Sequence, residues 1–454
     1  MRAINPGKGR LILVIAAAVF LLPVLVPAWH LLQKTGGAFS LPRDESFLQL
    51  STAKALAFRH IWGVGLFNFE SASPSLLYPL LLAAVFFIFG AHLVIIPILN
   101  AVIGIILLSA IQKWLSKRGT RPVNQLFVLL AVIVLTPLPL MVISGMESPL
   151  LLLFAFLFVS RLSDEWTMPA FSRRTLIYGA LLVASRYDGA LLVAGASLLL
   201  IFRRKWLEAF ELVLWSLLPI LAFGIVSVFK GSYFLPNPFM VGPAGSMLSY
   251  DWLLGCGLAV ALPLLSRWHI KRLDRKTTWV AGLTALCFSL LIMTRNLYAF
   301  RETSRSSVRI YRQEYPAGQF VRRYYYHQSI VSDDMSVLSY LAEGQYVDLS
   351  GLASVKVARS KVHHFFSPRL VHQLSDEQNT QVAIITDRYD HGLPERWVRT
   401  ASWEIPAYDQ SGKKTFNFYG MDSGVAITLK RNLENYAPYL SRDITVQYYY
   451  FPPR

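Results

Sequence analysis

Cysteine is nearly absent from this chain of 454 residues, which contains only 2. Both of them, Cys256 and Cys287, lie within hydrophobic runs, and no cysteine follows them. A disulfide framework requires several cysteines that can pair, and a cysteine-rich metal site requires closely spaced ones. The sequence therefore excludes disulfides and cysteine-bound metal as the basis of the fold.

Acidic residues are also scarce, but only in the first two thirds of the chain. Residues 1–295 carry 11 Asp and Glu against 25 Lys and Arg, whereas residues 296–454 carry 16 against 19. The surplus basic residues lie in short loops beside hydrophobic runs, without the interleaved aromatic residues of a nucleic-acid surface. Such loops orient a chain in a membrane and contact anionic headgroups. We therefore expect membrane lipid as a partner and no binding to nucleic acid.

Long hydrophobic runs, by contrast, are plentiful in a chain that is 54% hydrophobic and 16% charged. Several are close to the roughly 20 residues that cross the core of a bilayer as a helix. The first run resembles a signal peptide, but its length and the lack of a small-residue cleavage site predict an uncleaved anchor. The sequence is thus typical of a polytopic membrane protein, with runs such as 11–28, 93–111, 126–143 and 212–228.

The basic loops predict which ends of the runs face the cytoplasm. If the short run 75–90 crossed the bilayer, the basic loop Lys113–Arg121 would lie outside, so we expect a juxtamembrane or re-entrant helix there. Basic residues flank 175–202 on both sides, which predicts a hairpin of two short helices with its tip at Ser185–Gly189. About nine crossings follow, with the N-terminus in the cytoplasm and the chain in a bacterial inner membrane.

The composition divides the chain into two domains. Residues 1–295 are expected to form an all-α polytopic membrane domain, and residues 296–454 a periplasmic α/β domain. Roughly 160 residues suffice for a core of their own. The apolar patterns predict short strands at 329–332, 346–349 and 382–386, with a helix at 335–342 between the first two.

The acidic residues that are candidates for a functional site all lie at gaps between hydrophobic runs, on the predicted outer face. Carboxylates gathered at one face of a membrane protein indicate chemistry or transport there. Asp44 with Glu45 fits a general base for an acceptor hydroxyl, since a like-charged neighbour raises a carboxylate pKa. A divalent cation held between the two is a second possibility, and capping of a helix N-terminus is a third.

Three further residues are expected to support loops. Glu70 precedes the short helix and suits capping or loop hydrogen bonding, and Glu147 opens a descending helix whose dipole favours an anion. Asn237 lies in the rigid turn Leu235–Pro238. In the C-terminal region, Asp333, Asp334 and Asp348 are expected to cap or close turns rather than to catalyse.

Arg186 and Asp188 lie at the predicted hairpin tip, where charged residues are costly to place. They either pair with each other, or Arg186 binds a phosphate oxygen while Asp188 orients it, because arginine forms bidentate bonds with phosphate. Lys230, Arg43 and Arg295 are basic residues on the face that should lack them. Snorkelling explains such residues, and so does an anionic lipid-linked substrate.

Taken in order, these segments resemble the GT-C class of membrane glycosyltransferases, in particular the branch that contains the terminal arabinofuranosyltransferase AftB and ZomB. Ser144–Leu150 is similar to a Ser-Gly-Leu-Glu-Thr-Pro-Leu element of that branch, and Arg186–Gly189 to Arg-Pro-Glu-Gly. Glu45 departs from the pattern, which has a second Asp there. The other segments that carry the resemblance are 44–48, 70–74, 231–239, 333–340 and 347–352.

The resemblance implies an inverting transferase that moves a sugar from a polyprenyl-phosphate donor to an extracytoplasmic acceptor hydroxyl on a cell-envelope glycan or glycoconjugate. It implies Asp44 as the base, with Glu45 assisting or holding a divalent metal. Arg186, Asp188 and Lys230 would bind the donor phosphate, and the outer domain would bind a glycan or protein acceptor.

Two other classes of function fit the same sequence. One is a non-catalytic membrane assembly or motor-control factor that keeps the GT-C-like fold without the reaction. The other is a transporter that uses the acidic residues as a cation path. The transporter is less favoured, because its charges would more often lie in the middle of helices and its halves would repeat.

Overall fold

The structure is a computed structural model that describes residues 6–165, 168, 171–241, 275–389, 392–408 and 412–449, of which 6–8 and 275–292 are described by their backbone alone. Helices dominate the described part of the first 241 residues. They are α1 (Pro6–Lys34), α2 (Asp44–Arg59), α3 (Leu77–Phe89), α4 (Ile95–Lys117), α5 (Pro122–Leu135), α6 (Leu138–Ser144), α7 (Ser148–Glu165), α8 (Arg173–Ser185), α9 (Ala190–Phe202), α10 (Trp206–Phe229) and α11 (Asn237–Val241).

Three helices within the described ranges are long and apolar enough to cross a membrane: α1 from Gly9, α4 and α10. A fourth span results if α5 and α6, which meet at a bend of 50°, are counted together. The number nine is therefore not confirmed. The sequence also predicts a crossing at 252–266, and these residues lie outside the described ranges. Exposed apolar side chains cover these helices as expected for lipid contact, including Leu11, Val14, Leu22, Ile98, Val102, Ile106, Phe210, Leu218 and Ile225.

The predicted hairpin at 175–202 is present as α8 and α9, joined by a 3₁₀ turn at Tyr187–Gly189. At its tip the backbone N–H of Leu76 donates to the carbonyl of Ala184 over 3.0 Å. At its base Lys205 donates through Nζ to the carbonyl of Met168 over 2.6 Å. The two helices therefore run in opposite directions, and both pack against α10.

Hydrogen bonds place the acidic loops together at one end of the bundle. Ser46 Oγ donates to the carbonyl of Ser144 over 2.7 Å. The N–H of Asn237 donates to the carbonyl of Ser71 over 2.8 Å. We call this the loop end. The basic loops meet at the opposite end, where Arg118 and Asp164 form an ion pair of 2.7 Å. The separation of charges along the bundle is the one that the sequence predicts.

The chain continues from α12 (Arg275–Gln313) into a mixed α/β domain. The helix crosses position 295 without a break, so the expected domain border lies within a helix. The domain contains α13 (Tyr315–Tyr324), β1 (Ser329–Ser332), α14 (Ser336–Leu341), β2 (Gln345–Asp348), α15 (Val355–Val362), α16 (Pro368–Glu377), β3 (Val382–Thr386), β4 (Val398–Ile405), β5 (Lys414–Gly420), α17 (Ser423–Tyr436) and β6 (Thr445–Tyr448).

The strands form one six-stranded sheet in the order β2-β1-β3-β5-β4-β6. The first three strands are parallel and the other pairs are antiparallel. The three predicted strands are present, with β2 one residue earlier than expected, and the predicted helix between β1 and β2 is α14. Alternate side chains enter two cores on opposite faces, one containing Ile330 and Trp403 and the other Val331 and Trp397.

The C-terminal domain shares its core with the helix bundle. Leu48 of α2 and the loop residues Val64 and Ala72 belong to the same buried cluster as Trp403. Helix α2 packs on α14, where Ser51 Oγ and Ser339 Oγ lie 2.9 Å apart. The loop end and the domain are therefore joined by a hydrophobic contact and not by a linker alone.

Candidate active site between the loop end and the C-terminal domain

A cavity of about 680 Å³ opens at the loop end, beneath the C-terminal domain. Such a volume lies within the range of small-molecule sites. Loop and helix termini line most of it, and one face of α12 lines the rest. The bundle residues on its wall include Pro42, Arg43, Glu45, Leu48, Ser144, Met146, Ser148, Arg186, Asp188 and Phe239, and the α12 residues include Arg295, Tyr298, Glu302, Thr303 and Ser306.

The structure separates the two carboxylates that begin α2. Arg43, in an extended conformation with φ of −131°, precedes the helix, so Asp44 and Glu45 lie in its first turn, about 100° apart around the axis. Glu45 lines the cavity, whereas Asp44 does not. Asp44 instead lies within electrostatic reach of the C-terminal domain. Of the expected catalytic pair, Glu45 is the one on the wall of this cavity.

Asp44 belongs to a charge cluster with Glu314, Asp334 and Lys414. Lys414 Nζ lies 2.6 Å from Asp334 Oδ2 and 3.1 Å from Glu314 Oε1. The Lys414 and Glu314 side chains are only 5% and 2% exposed, so both charges are almost fully removed from water. Lys414 therefore pairs with two carboxylates of the domain and acts at longer range on Asp44 of the bundle, on which Arg309 also acts.

The pKa values of the three carboxyl groups in the cluster depend on how deeply each is buried and on how strongly Lys414 acts on it. Burial, together with the charge of Asp334, raises the pKa of Asp44 to about 6. Burial also raises the pKa of Glu314 to about 8, although Lys414 opposes it. Burial acts in the same direction on Asp334, but Lys414 outweighs it and holds the pKa of Asp334 below its usual range. Lys414 thus keeps Asp334 ionised, whereas Asp44 and Glu314 keep their protons to a higher pH than an ordinary carboxyl group does.

Arg186 is held at the hairpin tip between two carboxylates. Its Nε lies 3.0 Å from Asp188 Oδ2, and its Nη1 lies 3.5 Å from Glu147 Oε1. The Glu147 side chain is fully buried and also accepts from Gln49 Nε2 over 2.8 Å. Arg186 and Asp188 therefore form the expected pair and also line the cavity, and Glu147 supports the arginine as well as opening α7.

Glu70 and Asn237, two of the residues expected to support loops, both form hydrogen bonds to backbone groups. Glu70 Oε2 accepts from the backbone N–H groups of Val64 and Gly65 over 2.8 and 3.0 Å. Burial raises the pKa of Glu70 to about 7. The buried side chain of Asn237 donates through Nδ2 to the carbonyl of Ala353 over 3.4 Å, which ties the 230–239 turn to the domain.

Lys230 is not brought to the cavity. It lies exposed at the end of α10 and is not part of the cavity wall. Next to Lys230, the carbonyl of Gly231 accepts a hydrogen bond of 3.1 Å from Nη2 of Arg359, a residue of the C-terminal domain. The structure thus brings together Glu45, Arg186 and Asp188, but not Asp44 or Lys230.

Asp348 closes a turn, as the sequence predicts, whereas Asp333 does not and instead links the end of β1 to the end of β3. Asp333 accepts from the N–H of Thr386 over 2.8 Å, and Asp348 accepts from those of Ser350 and Ala353 over 2.8 and 2.7 Å. Asp334 accepts from the backbone N–H of Ser336 at the start of α14, as expected for a turn or cap, and it also binds Lys414 across the sheet. The sequence did not predict this ion pair, because Lys414 lies on a strand far along the chain from Asp334.

The residues expected to hold a metal do not form a shared donor set. Asp44 lies toward Lys414 and Glu45 toward the cavity. Within the ranges that the structure describes, no three His, Cys, Asp or Glu side chains are grouped to hold a metal ion. A divalent cation bound jointly by Asp44 and Glu45 stays a prediction.

Apart from Arg295, the face of α12 on the cavity is the part of the site that the sequence did not indicate. Its residues recur at intervals of three, four and seven, the spacing of one helical face. The expected domain border at 295 separated Arg295 from Glu302. A prediction of one continuous helix across position 295 would have placed both side chains on the same face.

Comparisons with known proteins reach only the C-terminal domain. A family model described as a domain of unknown function (DUF8728) matches residues 305–419. The match contains Glu314, Asp334 and Lys414, so the domain's contribution to the charge cluster falls within it. No curated protein and no solved structure matches the chain.

A glycine substitution tests how tightly the cavity wall is packed. Gly145 and Gly119 both have positive φ, 74° and 73°, so alanine is strained at either position. A Cβ at Gly145 would lie 2.7 Å from Leu41 Cδ1, whereas one at Gly119 would have no atom within 4 Å. We expect Gly145→Ala to lower the free energy of unfolding by about 1–3 kcal/mol more than Gly119→Ala.

Thermal unfolding of the two variants in detergent measures this difference directly. Equal losses would mean that the buried Leu41 side chain has room to move. Leu41 would then not fix the segment that carries Glu45.

Proposed function

We propose that this protein is a membrane glycosyltransferase of the GT-C type. It moves a sugar from a polyprenyl-phosphate donor to an acceptor hydroxyl at the loop end. One observation carries the proposal: a single cavity at the loop end has both a carboxylate, Glu45, and an arginine, Arg186, on its wall. These are the two groups that a displacement at a sugar phosphate requires, a proton acceptor and a cation for the leaving phosphate.

In the proposed reaction the acceptor oxygen attacks the anomeric carbon, and its proton passes to the Glu45 carboxylate. The bond between the anomeric carbon and the phosphate oxygen breaks, and polyprenyl phosphate leaves with the electron pair. We favour Glu45 over Asp44 as the base because Glu45 alone of the two lies on the cavity wall. A single displacement of this kind inverts the configuration of the sugar.

Arg186 would stabilise charge as it develops on the leaving phosphate. The guanidinium faces the cavity while Glu147 and Asp188 hold it in place, so it needs little reorganisation during the reaction. The two carboxylates exceed its single positive charge, so further cations are required for a phosphate. Arg43 and Arg295 lie on the same wall and meet that requirement.

The topology belongs to the same proposal. We place the loop end and the C-terminal domain in the periplasm of a bacterial inner membrane, and the N-terminus in the cytoplasm, with about nine crossings. The collection of basic loops at the far end of the bundle supports this orientation. The lipid chain of the donor would lie along the exposed apolar helices, and the C-terminal domain would position a glycan or protein acceptor.

A strain that lacks the protein tests the function. We expect it to accumulate a polyprenyl-phosphate sugar and to lose one residue class from an envelope glycan, as measured by mass spectrometry of lipid extracts and glycans. The wild-type gene should restore both, and a Glu45→Gln allele expressed at the same level should restore neither. Full restoration by that allele would instead favour the non-catalytic assembly factor.

A further inference from the structure

Helix α12 contributes a continuous polar face to the cavity, which we call the α12 wall. It consists of Arg295, Tyr298, Glu302, Thr303 and Ser306. Two contacts fix the rotation of the helix: Asn296 Nδ2 donates to the carbonyl of Val134 over 3.0 Å, and Ser304 Oγ lies 2.9 Å from His30 Nδ1. The wall is therefore held toward the cavity by residues on other sides of the helix.

The chemistry of the wall changes along the helix. Arg295 is at the level of the end of α5, because its neighbour Asn296 reaches Val134 there. Glu302 lies two turns farther toward the C-terminal domain, about 10 Å away at 1.5 Å per residue. The cation is thus nearer the bundle, and the carboxylate is nearer the domain, with Tyr298 between them.

Glu302 is available to a ligand. Among the residues that the structure describes, none forms a hydrogen bond or ion pair with the Glu302 carboxylate. A carboxylate accepts hydrogen bonds from several donors at once, which suits neighbouring hydroxyl groups of a sugar. Glu45, the proposed base, belongs to a different element, so the acceptor hydroxyl would approach from the α2 side and leave the α12 wall to the donor.

We propose that the α12 wall binds the lipid-linked donor along its length, with Arg295 on the phosphate and Glu302 on hydroxyl groups of the sugar. The inference rests on the proposed function and deepens it by assigning which residues recognise the donor. Arginine matches a phosphate through paired donors, and Arg295 lies at the end of the wall nearer the membrane helices. The sugar then extends toward the C-terminal domain, and Glu302 contributes to its selection.

The test is direct binding, measured by native mass spectrometry of the full-length protein in detergent. We expect Arg295→Ala to weaken binding of undecaprenyl phosphate about 10-fold, the equivalent of about 1.4 kcal/mol. The matched control is Arg301→Ala, which removes an exposed arginine of the same helix outside the cavity wall and should leave binding unchanged. Equal binding by the two variants, or no binding by the wild type, would overturn the phosphate assignment.

The sugar assignment needs a second pair of ligands, undecaprenyl-phosphate pentose and undecaprenyl-phosphate hexose. We expect the wild type to prefer one of them over bare undecaprenyl phosphate, and Glu302→Gln to lose that preference while binding the bare lipid normally. A preference that survives in Glu302→Gln would overturn the role of Glu302.

Binding also separates the two proposals from each other. If Arg295→Ala weakens lipid binding but a deletion strain accumulates no lipid-linked sugar, the proposed reaction fails and the phosphate site stands. If the deletion strain accumulates the donor but Arg295→Ala binds undecaprenyl phosphate normally, the reaction stands and the α12 phosphate site fails.

Discussion

Lys414→Met is expected to lower the free energy of unfolding by about 3 kcal/mol at about pH 8, since it leaves buried carboxylates without their cation. The side chain is 5% exposed and contacts both Glu314 and Asp334. Methionine keeps most of the volume, so the loss reports the charge rather than a void. Thermal and denaturant unfolding of the full-length protein in detergent, followed by tryptophan fluorescence, measures it.

The neighbouring lysine provides a matched control. Lys413 is 61% exposed and pairs at 3.1 Å with Glu404, which is 48% exposed. We expect Lys413→Met to change stability by no more than about 0.5 kcal/mol. A double variant, Lys414→Met with Glu314→Gln, should regain part of the loss because one buried charge fewer is left unpaired. If Lys414→Met and Lys413→Met behave alike, the cluster does not stabilise the contact between domain and bundle.

The same variant should be less damaging at low pH. The pKa of Asp44 is raised to about 6 and that of Glu314 to about 8, so the folded protein binds protons that the unfolded chain has released. The stability contributed by these two groups therefore falls as pH rises from about 4 to about 8. At about pH 5 both carboxyl groups favour protonation, and Lys414→Met should cost less than at about pH 8. An equal cost at both values would contradict this account.

Glu45→Gln carries the largest expected effect on activity, a loss of about 10²–10⁴-fold in the rate of sugar transfer. Glutamine occupies the same space on the cavity wall but cannot accept the acceptor's proton. The assay is transfer from the lipid-linked donor that accumulates in the deletion strain to the acceptor glycan, with purified protein. Donor binding should be unchanged, because the loss concerns proton transfer and not the phosphate.

Asp44→Asn is the matched comparison for Glu45→Gln. Because Asp44 faces the charge cluster and favours its neutral form below about pH 6, asparagine should stabilise the protein slightly at about pH 8 and reduce transfer much less than Glu45→Gln. A reversed order, with Asp44→Asn inactive and Glu45→Gln active, would return the role of base to Asp44.

The sequence predicted elements with local signals and missed those that depend on distant residues. Val382–Thr386 is a buried apolar run, and the structure has the same five residues in β3. The hairpin tip at Arg186 followed from basic residues on both flanks. Strands β4, β5 and β6 were missed, since their pairing is antiparallel and depends on partners that only the complete sheet brings beside them.

The contacts of the candidate site are likewise of two kinds, local ones that the sequence could predict and distant ones that it could not. Arg186 and Asp188 are two positions apart, so their pairing could be predicted from the turn between them. The environment of Asp44 could not, because it depends on Lys414, which only the fold of the sheet brings near. The like-charged neighbour expected to raise the pKa of Asp44 was Glu45, whereas burial and Asp334 act more strongly.

The shared core and its buried lysine also constrain how the protein is made. Leu48 and Asp44 emerge early from the ribosome, but the residues that cover and neutralise them are synthesised hundreds of positions later. Until β5 has been synthesised and paired, the loop end presents uncovered apolar side chains, and Asp44 lacks the lysine that acts on it. A nascent chain that stops before Lys414 should therefore be a substrate for membrane quality control, even though its first helices are already inserted.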